Sequence, residues 1–275
     1  MFNINKFRAA VSVLAIFSVM MISLSPDTAA AYDDMRPYNW YVMRTKDHTQ
    51  PPLEADMAFI TEYGGYYADK NHSEVDDDDK VIYLTFDAGY ENGNVARILD
   101  TLAEKEVPGA FFVLENLIKR NPELILRMRD EGHLVCNHTA KHNDMSAVGD
   151  KEEFAAELAS LDDQYRELTG SEMAKYYRPP EGRFSERNLK FADELGYKTI
   201  FWSFAYADWD NNKQPDVEAA IKKVFDNTHN GAVILLHPTS KTNADIMGRL
   251  IDGWREAGYR FGTLDELTGG GNNLK

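Results

Sequence analysis

From residue 81 onward, short runs of consecutive apolar residues alternate with stretches whose apolar positions recur every three to four residues. The run VIYLTF at 81–86 is continuous and rich in β-branched side chains, the pattern of a strand buried on both faces. The stretch 94–107 then sets Val95, Ile98, Leu99 and Leu102 on one helical face. GAFFV at 109–113 reads as a second strand. Asn121 and Pro122 supply a cap and a first-turn proline for a helix carrying Leu124, Ile125 and Met128, which Gly132 closes. HLVC at 133–136 predicts strand three, 151–169 a long helix ended by Gly170, and KYYR at 175–178 strand four. Ser185 caps a helix that stops at Gly196, and YKTIFWSF at 197–204 predicts strand five. A helix over 215–229, strand six at 232–237 (AVILLH), a helix over 243–257 and strand seven at 259–262 (YRFG) complete the series.

Strands that alternate strictly with helices are parallel and joined by right-handed crossovers. Apolar runs on every strand mean that both sheet faces are covered. The fold class is therefore α/β, either a (β/α) barrel, complete or not, or an open doubly wound sheet. No GxGxxG follows the first strand, so a dinucleotide site has no support.

Residues 32–79 keep no period and are rich in Tyr, Asp and Pro; Trp40, Tyr41, Tyr63, Tyr66 and Tyr67 are expected to pack this N-terminal arm on the main domain. Asp76 to Asp79 reads as a solvated charge run. Upstream, Lys6 and Arg8 precede an apolar stretch from Ala9 to Leu24 and the small residues Ala29, Ala30 and Ala31, the layout of a signal peptide over 1–31. Sixteen helical residues rise about 24 Å, short of the roughly 30 Å hydrocarbon core. Cleavage after Ala31 is expected, leaving no stable membrane span; an uncleaved signal acting as an anchor is the alternative. Residues 269–275 read as a flexible tail.

Composition narrows the chemistry. At 275 residues, 43% apolar and 27% charged, the chain is not disordered. Its 30 Lys and Arg against 45 Asp and Glu give a formal charge of −15, which argues against a nucleic-acid partner. One cysteine, Cys136, excludes a disulfide framework and thiolate-rich zinc sites, so a metal must rely on His and carboxylate. Cys136 itself is expected to be buried.

Ionisable residues gather just after the strands: Asp87 after the first, His138 and His142 after the third, Arg178 at the end of the fourth, Asp208 after the fifth and His237 at the end of the sixth. That rim is where α/β folds carry their active sites. If the turn His138–His142 is helical, its two imidazoles share a face and can grip a divalent cation; the alternative is two solvated loop histidines. Asp87 is either a turn residue or a general base, and Arg178 either an ion-pair residue or a carboxylate holder.

These residues sit in TFDAG (85–89), HTAKH (138–142), RPPEG (178–182), Asp208-Trp209 and LLH (235–237), and in that order they resemble the five motifs of the polysaccharide deacetylase family, the NodB homology domain. The resemblance covers about 80–268; TFDAGYENG, the RPPEGRFSE run and the tyrosine-rich arm resemble its δ-lactam-forming branch, which deacetylates N-acetylmuramic acid in spore cortex peptidoglycan. It implies a distorted, incomplete (β/α) barrel of about seven parallel strands, and a secreted, metal-assisted hydrolase of N-acetyl groups acting at the cell wall or in the forespore intermembrane space. It also implies Asp87 as base, Arg178 as its holder, His237 as acid, Asp208 as partner of that acid, and His138 and His142 as ligands of a divalent metal, expected to be zinc. A backbone N–H near Glu181 is expected to help hold the oxyanion, and Glu181, Trp209 and Arg183 to meet the substrate, with Lys141 or Arg183 supplying a cation for the lactyl carboxylate. Ala88 replaces the family's usual third ligand, so the metal is expected to bind weakly. The alternatives are a deacetylase of N-acetylglucosamine polymers and a catalytically inactive glycan-binding module. A monomer is expected.

Overall fold

The computed structural model describes residues 34–270. The signal-peptide reading of 1–31 and the last five residues of the tail lie outside the described residues.

The arm contributes β1 (Tyr38–Asn39), a 3₁₀ segment (Ala55–Tyr63) and β2 (Gly65–Tyr66). The main body begins with β3 (Lys80–Ala88), α1 (Asn94–Glu104), β4 (Ala110–Val113), α2 (Glu115–Arg120), α3 (Pro122–Asp130) and β5 (Leu134–Asn137). It continues through α4 (Lys151–Thr169), β6 (Ala174–Tyr177), β7 (Arg183–Phe184), α5 (Glu186–Glu194) and β8 (Lys198–Ile200). The last elements are α6 (Val217–Asn227), β9 (Ala232–Leu236), α7 (Lys241–Glu256), β10 (Tyr259–Phe261) and α8 (Leu264–Leu267). Helix ends follow local chemistry: the Asp150 carboxylate accepts from Glu153 N–H to start α4, and Gly170 ends it at φ 71°, where a side chain would be strained.

Seven of these strands, β3, β4, β5, β6, β8, β9 and β10, pair in parallel, and β2 of the arm extends the sheet beside β8. β3 is central: Ile82–Phe86 pairs with β9, Thr85–Ala88 with β4 and Lys80–Ile82 with β10. The fifth predicted strand, 197–204, is only partly one strand. Residues 198–200 pair with β6 and β2, then the chain turns, and Ser203 and Phe204 bond to β9, with Phe204 bridged in parallel to Ile234. The apolar run is shared between two neighbours, and that change of partner curls the sheet into an incomplete barrel.

Strand alternation then sorts the side chains. Ile82, Leu84, Phe86 and Ala88 of β3 join the helix-facing core with Val95, Ile98 and Trp254, whereas Val81 and Tyr83 face inward with Phe112, Cys136 and Val233. Cys136 is buried, as expected. α2 lies where the sequence had suggested only a connection.

The arm is built into the barrel wall. β1 pairs antiparallel with β7, Trp40 stacks on Phe201 at 4.5 Å, and Trp40 Nε1 donates to Trp202 O at 2.9 Å. Tyr67 is buried, but Tyr41 is 52% exposed and is not a packing residue. Nor is the acidic run wholly solvated: Asp79 pairs with Arg260 at 2.6 Å and with His72 at 3.3 Å.

Candidate active site

Asp87, the penultimate residue of β3, lies on its inward face, since the residues before it alternate. Arg178, just past β6, is completely buried and spends its guanidinium on four acceptors. It donates to Asp87 Oδ1 (2.8 Å), Thr85 Oγ1 (2.9 Å), Ile200 O (2.9 Å) and Phe201 O (3.3 Å). Its Cζ lies over the Phe112 ring, 4.1 Å from the centroid. Burial alone would raise the Asp87 carboxyl; the charges of Arg178, His138 and His237 outweigh it and hold the group below the ordinary carboxylate range.

The His138–His142 turn is not helical. Thr139 (φ 67°) and His142 (φ 59°) are left-handed; Asn137 Oδ1 accepts from Thr139 N–H at 2.8 Å, and Thr139 Oγ1 from His142 N–H at 2.9 Å. These bonds fold the loop tightly enough to bring the two imidazoles together, ring centroids 5.0 Å apart and edge to face. The two histidines therefore meet by a route other than helical spacing.

His138 is buried and donates Nδ1–H to the Arg178 carbonyl at 2.9 Å, which leaves the Nε2 lone pair 3.5 Å from Asp87 Oδ2. Burial above all, partly opposed by Asp87, pushes His138 down to about 4, so it is neutral at pH 7. A neutral imidazole lone pair facing an ionised carboxylate oxygen is a pair of acceptors that a shared cation would satisfy. The donor set thus fits a divalent ion on His138 and His142. Among the described residues, however, no group of three or more His, Cys, Asp or Glu side chains is arranged to hold a metal. Ala88 faces the helix layer, fully buried, and offers no ligand.

On the opposite wall, His237 follows β9. Its Nδ1–H donates to Asp208 Oδ1 at 2.7 Å and its backbone N–H to Asp208 Oδ2 at 2.9 Å. Burial would lower the imidazole, but the hydrogen bond and charge of Asp208, with the charge of Asp87, raise it above its usual value. Asp208 is buried, and Asn243 Nδ2 also donates to its Oδ2 at 2.6 Å. Neither Asn243 nor its partner Tyr206 stood out in the sequence: both lie outside the five motifs, and no spacing marks an amide on α7 as a neighbour of residue 208.

Between the walls lies a cleft of about 700 Å³ that includes Asp87, His138, His142, Glu181, Trp209 and His237 in its lining. Trp209 is 59% exposed, its ring 6.0 Å from that of His237. Glu181 is exposed and held at φ 57°, a conformation rare outside glycine. Gly182 beside it is obligatory, since a Cβ there would come within 2.8 Å of Trp202 and 3.0 Å of Trp40. Arg183 and Lys141 do not line the cleft; Arg183 pairs instead with Asp144 at 3.1 Å. The cation expected for a lactyl carboxylate is therefore not supplied by either.

The chain has known relatives. The family model for polysaccharide deacetylase matches residues 74–200. The peptidoglycan-N-acetylmuramic acid deacetylase PdaA of Bacillus subtilis is 37% identical over 84% of this chain and 86% of its own. A structure of Bacillus subtilis PdaA, described as a family 4 carbohydrate esterase, superposes with a TM-score of 0.80 at 36% identity, covering 86% of this chain and 99% of that one. A peptidoglycan-N-acetylglucosamine deacetylase of Bacillus cereus is 30% identical over 70% of this chain and 91% of its own.

Proposed function

The chain belongs to the polysaccharide deacetylase family and is a hydrolase, and from that premise we propose that its substrate is peptidoglycan and that it removes the acetyl group of N-acetylmuramic acid. The observation that carries the catalytic reading is the pairing across one cleft of a carboxylate bonded to a buried guanidinium and an imidazole bonded to a buried carboxylate: Asp87 with Arg178 on one wall, His237 with Asp208 on the other.

Amide hydrolysis needs a proton taken from water and a proton given to nitrogen. Asp87 accepts the proton of the attacking water. The C–N bond of the tetrahedral intermediate breaks as His237 Nε2–H protonates the leaving nitrogen, giving free amine and acetate. Arg178 keeps Asp87 ionised and aimed; Asp208 fixes the His237 tautomer through Nδ1. A divalent ion on His138 and His142 would supply a Lewis acid beside the acetyl carbonyl. Trp209 offers an aromatic face to a sugar ring, and Glu181 lies at the rim.

Muramic acid is favoured over glucosamine because the muramic acid deacetylase is the more similar relative over more of the chain. The amine released next to a lactyl group is the precursor of a δ-lactam, which agrees with the motif resemblance to that branch. A signal peptide over 1–31 suits an enzyme of the cell wall or of the forespore intermembrane space. Among the described residues no helix is long and apolar enough to cross a membrane.

Mass spectrometry of muropeptides after incubation with the native protein and with Asp87→Asn tests the reading, with N-acetylglucosamine oligomers in parallel. Loss of one acetyl mass from muramic acid residues, abolished in Asp87→Asn, is expected. Acetate release from the oligomers alone would transfer the assignment to glucosamine, and equal release by both proteins would remove Asp87 as the base.

A further inference from the structure

The proton-donating wall contains a buried amide that the reaction above does not use. Asn243, in the first turn of α7, is completely buried, and every polar atom of its side chain is engaged. One Nδ2–H donates to Asp208 Oδ2 at 2.6 Å and the other to the His237 carbonyl at 3.0 Å. Its Oδ1 accepts from the hydroxyl of Tyr206, which is itself buried. Ser240 and Gln214 complete the frame: Asn243 N–H donates to Ser240 Oγ at 3.2 Å, Ser240 Oγ to Gln214 Oε1 at 2.7 Å, and Gln214 Nε2 to the Asp208 carbonyl at 3.1 Å.

The orientation of the amide is forced. Tyr206 donates, so the side of Asn243 facing it is the oxygen, and the NH₂ must face Asp208 and the His237 carbonyl. A flipped amide would set its oxygen against a carboxylate and a carbonyl, and leave the Tyr206 hydroxyl opposite a donor. With Oδ2 occupied by Asn243 and by His237 N–H, Oδ1 is left for His237 Nδ1–H.

We infer that Asn243, oriented by Tyr206, is a positioning residue for the acid of this enzyme: it locks Asp208 in the orientation that accepts from His237 Nδ1–H and aims the imidazole into the cleft. The inference rests on the proposed role of His237. The charged and titratable groups facing His237 are Asp208 beside it and Asp87 and Arg178 from the opposite wall; Tyr206 faces Asp208. Asn243 is uncharged, so it acts on His237 only through the strength and geometry of the Asp208 contact.

The test is the titration of His237 followed by ¹H–¹³C or ¹H–¹⁵N NMR in native protein, Asn243→Leu and Tyr206→Phe, with the pH profile of kcat measured on the same three proteins. In Asn243→Leu the proton affinity of His237 should fall about tenfold, one pH unit in midpoint. The basic limb of kcat should move to lower pH by the same amount, with KM within about twofold. Tyr206→Phe should shift both in the same direction by less. An unmoved His237 midpoint in a folded Asn243→Leu protein overturns the inference; if that variant does not fold, an unmoved midpoint in Tyr206→Phe does so. The NMR titration needs no turnover, so a failure of the proposed function, with no acetate released from any glycan, is separately visible.

Discussion

Replacing Arg178 by methionine keeps most of the side-chain volume and removes the cation that Asp87 depends on. Asp87 is only 11% exposed and Arg178 not at all, so the carboxylate would stay in the barrel without its main counter-charge. Breaking a buried pair from one side costs about 3–5 kcal/mol. If that falls on the ionisation of Asp87, it equals roughly 2–4 pH units. The acidic limb of kcat/KM, set by the free base, should therefore move upward by that amount; because Asp87 starts below the ordinary carboxylate range, activity should drop by no more than about tenfold at pH 7 and by up to about a thousandfold at pH 5. Stability gives an independent reading. In the native protein the Asp87 carboxyl is held below its unfolded value, so its contribution is full above that value and lost as pH falls through the folded one. In Arg178→Met, burial prevails and the order reverses: the contribution is present at low pH and lost as pH rises through the folded value. Orphaned acceptors at Ile200 O, Phe201 O and Thr85 add a pH-independent loss of about 1–3 kcal/mol each. Thermal unfolding at pH 5 and pH 8 should thus show a gap between native and variant that widens with pH. A gap of constant size, together with an unmoved acidic limb, would refute the assignment of Arg178 as the group that keeps Asp87 ionised.

Two further outcomes follow from the cleft. With only two imidazoles as ligands, zinc should leave the native protein on dialysis against a chelator; stoichiometric zinc retained by the native protein contradicts this, and Ala88→Asp should lower the melting temperature of the metal-free protein, because a carboxylate replaces a fully buried methyl on the helix-facing side of β3. Glu181→Gln should raise kcat/KM for muramic acid bearing a free lactyl carboxylate by about 1.4- to 5-fold, the range of an exposed charge pair, with the gain shrinking as salt is added and no change for N-acetylglucosamine oligomers; an equal effect on both substrates would show that Glu181 does not sense the lactyl group.

The sequence by itself determined the parallel α/β plan and the strand ends at which Asp87, His138, Arg178 and His237 stand. Hydrophobic periodicity and caps are local: 81–86, but for Thr85, and 232–236 are apolar because helices or inward side chains cover both faces, and Asp150 and Gly170 bound α4 through contacts within a turn. What the chain does between distant segments was not legible there. The run 197–204 looks like one strand, yet it divides between β6 and β9, because pairing depends on neighbours rather than on composition. The two imidazoles of 138–142 meet through left-handed residues and side-chain bonds, not through helical spacing. Trp40 of the arm forms part of the wall at Gly182, and Asn243 and Tyr206 lock Asp208; these links join residues 35 to 142 positions apart. Such contacts exist only once the sheet has curled and buried its polar groups, when each donor must find an acceptor wherever the fold has brought one.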